Sequence, residues 1–143
     1  MSDQTLRWLI GAAILLHGIA HVGAIGALWW LGSGRATNAG GWTAARSWVV
    51  PSLVGSRATY TAVTFWLVSL VGFSLTALAF LGIVLPVEVW RPLSVGAAIV
   101  STTGIVMFLG TWPTFNTLAA LAVNVAVLVA AFVDWPSASV LAS

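Results

Sequence analysis

The chain has 143 residues, 60% of them apolar and only 6% charged, with a net charge of +2 and a mean hydropathy of +1.06. A soluble globule carries roughly 25% charged residues, so this composition cannot cover a water-facing surface and points to an integral membrane protein. The pI of 10.6 reflects scarce charge rather than a basic face, which argues against nucleic-acid partners, and the absence of cysteine excludes disulfides and thiolate–metal sites.

Residues 1–7 are a short polar start. Trp8 to Leu31 is the first apolar run, about 36 Å as a helix, enough to cross a ~30 Å hydrocarbon core with tilt. It is too long for a signal-peptide core and ends in Trp29 and Trp30, as an interfacial belt does. Residues 32–58 form the one long connection. Gly32–Gly34 and Gly40–Gly41 break the helix there, and a stretch from Trp42 to Val50 follows, closed by Pro51. Trp42, Ala45 and Val49 share one face if that stretch is helical. An interfacial helix and an irregular loop dipping its tryptophans into headgroups both fit.

The second run predicts a span over 59–85, ending at Pro86, with Ser69, Gly72 and Thr76 on one small-residue stripe. Trp66 lies inside it, where an indole either lines a ligand cavity or faces lipid, and lipid is the placement expected. Pro86 to Pro92 is a tight connection containing Glu88 and Arg91. The third span is expected over 93–110. Gly96, Ser101, Thr103 and Gly104 make it small and polar, so much of its surface should meet other helices. A turn at Gly110–Pro113 leads to the fourth span, expected over 113–133 and ended by Asp134-Trp135-Pro136, with a short Ser/Ala tail beyond. The expected fold is all-α: a single four-span domain over 1–143, an up-down-up-down bundle with a short interfacial segment between helices one and two. Trp8, Trp29, Trp30, Trp90, Trp112 and Trp135 fall at span ends and are expected at the membrane interface. Arg35, Arg46 and Arg57 on the long connection outnumber Arg7 and Arg91 on the other side. Positive charge therefore favours that connection in the cytoplasm and both termini outside, in a bacterial or archaeal plasma membrane.

No Asp, Glu, Lys or Arg falls within the four apolar runs, and the two histidines of the chain, His17 and His21, lie one helical turn apart in the first. Ionisable groups inside a membrane are costly and mark sites by default. Two histidines four apart match the spacing of metal-binding helices, yet no third histidine, cysteine or intramembrane carboxylate completes a zinc or copper set. One imidazole is enough for a haem or a chlorophyll-type pigment, and Ala13, Gly18, Ala20, Gly23 and Ala24 leave room for a ring beside the helix. The structural alternative is interhelical hydrogen bonding by neutral imidazoles. Asn124, at similar depth in span four, is the first partner expected; Ser69, Thr76 and Thr103 are others.

The pattern Arg7-x3-Gly11-x5-His17-Gly18-x2-His21 resembles the opening of the DoxX-like family of small four-helix membrane proteins. His21 stands where that family commonly has a lysine. The resemblance implies a membrane partner of an oxidoreductase, linked in some members to quinone reduction, with His17, Gly18 and His21 as the residues concerned.

These readings rank the functions. First comes a non-catalytic accessory subunit of a larger membrane complex, whose partners are the bilayer and other membrane subunits. Second is a redox- or pigment-associated protein in which His17, His21 and Asn124 hold haem, pigment or quinone. A transporter or channel ranks last, since no span carries the acid that coupled transport commonly uses. Hydrolase chemistry is disfavoured because no Ser/His/acid set assembles at one depth.

Overall fold

A computed structural model describes residues 2–35, 40–133 and 135. Among them the chain forms four α-helices: α1 Asp3–Gly32, α2 Gly55–Leu81, α3 Trp90–Met107 and α4 Thr114–Phe132, with a 3₁₀ turn at Val87–Val89 leading into α3. No strand is formed by these residues. Each of the four, with the 3₁₀ turn counted into the third as Val87–Met107, is long and apolar enough to cross a membrane. Large apolar side chains also face outward, with Phe115 80% and Phe132 76% exposed, as lipid permits and water does not.

The helix ends differ from the hydropathy boundaries for local chemical reasons. α1 begins at Asp3 rather than Trp8, because the Ser2 hydroxyl accepts the Thr5 N–H at 3.2 Å and Asp3 sits at the positive end of the helix dipole. α2 begins at Gly55 rather than Thr59 and stops at Leu81, four residues before the expected Leu85. Gly82 takes the left-handed conformation (φ 68°), and the N–H groups of Gly82 and Ile83 close onto Ala79 and Leu78 at 2.9 and 2.8 Å. That is a Schellman ending, and it stops the helix inside an apolar run that hydropathy reads as continuous. Arg7 of α1 adds to it by donating from Nε to the Phe80 carbonyl at 3.1 Å. The ending expected at Asp134-Trp135-Pro136 lies partly outside the described residues, as does the Ser/Ala tail. α4 itself closes at Phe132.

The long connection contains no helix over 42–50. The irregular alternative is the one adopted, because the segment spends its backbone on the α3–α4 turn instead of on itself. Thr43 donates its N–H to Thr111 O at 3.0 Å and its hydroxyl to Gly110 O at 3.1 Å. The Trp48 indole donates to Val106 O. Ala45 and Ser47 are buried beneath it, and Ser47 accepts the Val50 N–H at 3.0 Å.

α1 lies against α2, α2 against α3, and α3 against α4. Small residues set these approaches. A Cβ on Gly11 would strike Leu81 at 2.6 Å, and one on Gly18 would come within 3.1 Å of Phe73. On the other face of α2, a Cβ on Gly72 would lie 2.9 Å from that of Ala97, so the stripe expected on α2 does meet a helix. Its hydroxyls do not cross the interface. Ser69 and Thr76 donate to their own helix, to Phe65 O at 2.7 Å and Gly72 O at 2.8 Å.

The apolar interior divides into two clusters. One gathers Phe73, Phe80, Trp90 and Ile14; the other gathers Trp66, Phe108, Leu28 and Ile105. Trp66 is fully buried, not lipid-facing, and Trp90, at the start of α3, is buried against Phe80 (ring centroids 5.3 Å). Gly104 makes the space for Trp66: a Cβ there would meet the indole at 2.7 Å and Phe65 Cβ at 2.8 Å. Gly96 on the same helix has nothing within 4 Å of a Cβ. Gly104→Ala is therefore expected to cost about 1–3 kcal/mol by overpacking, and Gly96→Ala to change stability by less than about 0.5 kcal/mol. Reversible unfolding in mixed micelles measures both; equal losses would refute the packing assignment.

Candidate functional site

The polar side chains of the spans converge in a layer between the two apolar clusters. His17 and His21 of α1 face inward, with His21 and Asn124 almost wholly buried and His17 nearly so. Phe73 of α2 packs edge-on against the His17 ring at 4.5 Å and stacks near His21 at 6.0 Å. Trp66, from the other cluster, lies 6.1 Å from His21.

Hydrogen bonding runs through this layer in a fixed direction. His17 Nε2–H donates to Asn124 Oδ1 at 3.0 Å. The Asn124 amide donates in turn to the hydroxyls of Ser101 at 3.0 Å and Thr102 at 3.1 Å, both on α3. His21 Nδ1 faces two carbonyls of its own helix, His17 O at 3.0 Å and Gly18 O at 3.3 Å. A carbonyl only accepts, so His21 carries its proton on Nδ1 and its Nε2 is an acceptor. Ser101 Oγ–H supplies that bond at 3.3 Å. One chain thus links His17 to Asn124, Ser101 and His21. It ties α1, α3 and α4 together at a single level.

The sequence-predicted trio of His17, His21 and Asn124 is brought together, with His17 bonded to Asn124 directly. His21 reaches Asn124 only through Ser101. The hydroxyls that complete the layer are Ser101 and Thr102, not Ser69, Thr76 or Thr103. The signal for them was the run Ser101-Thr102-Thr103 in an otherwise apolar span; hydropathy gives no way to choose among three neighbours about 100° apart around the helix.

The donor inventory restricts what the histidines can hold. Both nitrogens of His21 are engaged, so it has no lone pair for a metal or macrocycle unless the Ser101 bond is given up. His17 has Nδ1 left, with no hydrogen-bond partner among the described residues. No group of three or more His, Asp or Glu among the described residues is arranged to hold a metal ion.

A cavity of about 240 Å³ opens beside the layer, between α1 and α4. His17, Ala20 and His21 form one wall, Asn116, Ala119 and Val123 the other, and Trp42 and Trp112 its end. Trp112 was expected at the membrane interface. It packs inward instead, 4.8 Å from Trp66, 6.0 Å from His21 and 5.1 Å from Trp42. The indole N–H groups of Trp66 and Trp112 are buried without a partner. An unsatisfied buried donor costs about 1–3 kcal/mol, so two adjacent ones are a notable feature of this corner. Sequence reading gave no hint of it, because indoles at span ends normally have water or headgroups within reach.

Compared with protein-family models, with curated proteins and with solved structures, the chain matches none.

The bond pattern orders the expected mutant effects. Asn124→Leu removes three bonds and should destabilise more than His17→Leu, which removes one. A double-mutant cycle on the pair should give a coupling of roughly 0.6 kcal/mol, and no more than about 1.7, as interhelical bonds in membranes do. Unfolding by steric trapping in bicelles measures it. A coupling of zero, or His17→Leu as the costlier change, would contradict the direction of the chain.

Proposed function

We propose that this chain is a non-catalytic integral membrane protein that serves as an accessory subunit of a larger membrane complex. The observation that carries this reading is the use of the interior polar groups: the imidazoles, the amide and two α3 hydroxyls are spent on one another, holding helices together. Both nitrogens of His21 are engaged, and no carboxylate falls within the apolar runs to complete a catalytic set with the one open nitrogen, His17 Nδ1. Glycines at open positions give the outer surface the character of a helix-docking face. Gly23, Gly26 and Gly96 have no neighbour within 4 Å of a Cβ, and small residues let a foreign helix approach closely.

We take the helices to run up-down-up-down. Three pairings support that order for α1 and α2: Arg7 with Phe80, Gly18 with Phe73, and Gly32 with Thr59, so one helix ascends as the other descends. The short connections after α2 and α3 favour the same sense for the rest. We further place the long connection in the cytoplasm of a bacterial or archaeal plasma membrane and both termini outside, on the arginine count given above. The opening pattern shared with DoxX-like proteins accords with a partner role beside an oxidoreductase.

The second reading, a redox- or pigment-associated protein, is favoured by one observation: His17 forms a cavity wall with Nδ1 to spare. A haem or chlorophyll-type ring fits this poorly. Ligand sites for drug-sized molecules span ~300–1,000 Å³, above the cavity's 240 Å³, and a tetrapyrrole is larger than most such ligands. A quinone is smaller than a tetrapyrrole, and its carbonyl oxygens can accept from the Asn116 amide on the facing wall; the open His17 Nδ1 is itself an acceptor.

The experiment is purification of the tagged chain from its native membrane in mild detergent, with native mass spectrometry and an absorption spectrum. The expected result is a heteromeric complex of fixed stoichiometry, with Gly23→Leu weakening assembly while leaving the isolated chain as stable as before. A lone 14.9 kDa species would overturn the accessory reading, and a Soret or near-infrared band would favour the second.

A further inference from the structure

We infer that the cleft between the long connection and the α3–α4 turn holds an anionic phospholipid, its phosphodiester against Arg46 and one acyl chain running down α3. The inference goes beyond the subunit reading and stands independently of it.

The cleft has a volume of about 480 Å³ and opens at the end of the bundle where α3 stops and α4 begins. In a bilayer that level is the head-group region. Arg46, Ser47 and Trp48 wall it on one side, Leu109, Gly110 and Thr111 on the other. Its polar groups are donors in excess. Arg46 is exposed and pairs with no described residue. No carboxylate lines the cleft, and no acid occurs anywhere over 32–58. Thr111 is only 2% exposed, and both its backbone groups are spent: the N–H donates to Phe108 O at 3.0 Å and the carbonyl accepts from Thr43. Its hydroxyl has no partner among the described residues and, unlike the Trp66 and Trp112 nitrogens, is not sealed from the surface. Ser47, also 2% exposed, accepts the Val50 N–H at its oxygen and has its own proton left to give. The Gly110 carbonyl on the facing wall already accepts from the Thr43 hydroxyl. Two hydroxyl protons and a guanidinium lining one space call for an acceptor with several oxygens and a negative charge, as a phosphate has.

A neighbouring groove gives that anion a chain. It has a volume of about 370 Å³ and is walled by Val49, Ile99, Thr103, Val106 and Leu128. Trp48 joins the two spaces: it lines the cleft, its indole donates to Val106 O, and Val49 follows it in sequence. From Met107 to Ile99 the groove descends about 12 Å along α3, toward the middle of the bilayer. A free phosphate uses only the cleft; a phospholipid fills both. A zwitterionic head would bring a cation beside Arg46, where no acid is present to take it. The head group is therefore anionic, of the phosphatidylglycerol kind.

The test is native mass spectrometry of the full chain in mild detergent, titrated with phosphatidylglycerol, phosphatidylcholine and diacylglycerol of matched chains, and with glycerol phosphate. Phosphatidylglycerol should be retained as a single adduct, about tenfold more tightly than phosphatidylcholine. Diacylglycerol lacks the phosphate and glycerol phosphate lacks the chain, so neither should stay bound or compete. Arg46→Gln, at an exposed position, should cut retention about tenfold. Arg57→Gln, exposed on α2 and outside the cleft, should leave it unchanged. Thr111→Val keeps the shape and loses the hydroxyl, and should weaken phosphatidylglycerol several-fold. Thr103→Phe, which fills the groove from an exposed position, gives the same readout if Thr111→Val does not fold. The inference is overturned if phosphatidylglycerol and phosphatidylcholine are held equally, or if glycerol phosphate competes as well as the lipid. It also fails if Arg46→Gln and Arg57→Gln weaken retention alike, as diffuse surface charge would, or if Thr103→Phe leaves retention unchanged.

Discussion

A polar hydrogen inside hydrocarbon has no water to turn to, and the rest of this structure is arranged around meeting that constraint for two imidazoles. Each must lose its hydration on insertion and recover a partner within the protein. His21 recovers one at once, from the carbonyls of the turn below it on its own helix. That leaves its other nitrogen as an acceptor and obliges a donor from elsewhere. Ser101 meets the obligation, which fixes the serine's proton and makes its oxygen an acceptor for Asn124. Asn124 then presents its own oxygen to His17. The orientation of every group follows from the local bond at His21. A chain of this kind is worth more complete than broken, because a half-satisfied network leaves desolvated groups behind.

α2 contributes no hydrogen bond to this layer, yet it packs more closely than α4. Its aromatic side chains, Phe73 and Trp66, flank the imidazoles on the side away from α4. Its attachment to α1 and α3 rests on small residues and van der Waals contact, with Gly18 under Phe73, Gly72 against Ala97 and Gly104 under Trp66. Lipid tails are as apolar as leucine, so burial alone does not drive helices together in a bilayer, and close backbone approach must supply the attraction. The bundle therefore uses two different adhesives: close steric fit for α2, joined among the described residues by the single Arg7–Phe80 bond at one end, and directional polar bonds among α1, α3 and α4.

That division decides what the sequence could reveal. The four helices and the His17–Asn124 bond were legible, because hydropathy marks the helices and equal depth pairs rare polar residues. The ends of α2 were misread by hydropathy, since the Gly82 Schellman turn acts within a run that stays apolar to Leu85. Trp66 was misplaced for a related reason: an indole mid-span is equally at home in lipid or core, and only the glycine opposite it on α3 decides. Ser69 and Thr76 were as polar and as well placed as Ser101, but nothing on facing helices competes with their own i−4 carbonyls. The opening pattern also has a plainer meaning in three dimensions. Arg7, Gly11 and Gly18 all turn toward α2, onto Phe80, Leu81 and Phe73. Three residues of that pattern are, physically, one docking stripe.

The same bond that anchors α4 also keeps it at a distance. Where glycine meets alanine, as at Gly72 and Ala97, two helices close until their side chains touch. Where an imidazole must reach an amide at 3.0 Å, the side chains themselves set a wider spacing between the helix axes. Flanking positions then have to fill the added width. On α4 they are Ala119, Ala126 and Ala130, which are too short to do so, and cavities remain on either side of the strut. Larger residues there would close the seam at little cost to the polar layer, since none of those alanines takes part in it. Ala119 and Ala126 are exposed, so the groove they leave opens outward, on the side that lipid covers. Trp112, whose buried indole N–H has no acceptor among the described residues, stands at one end of it.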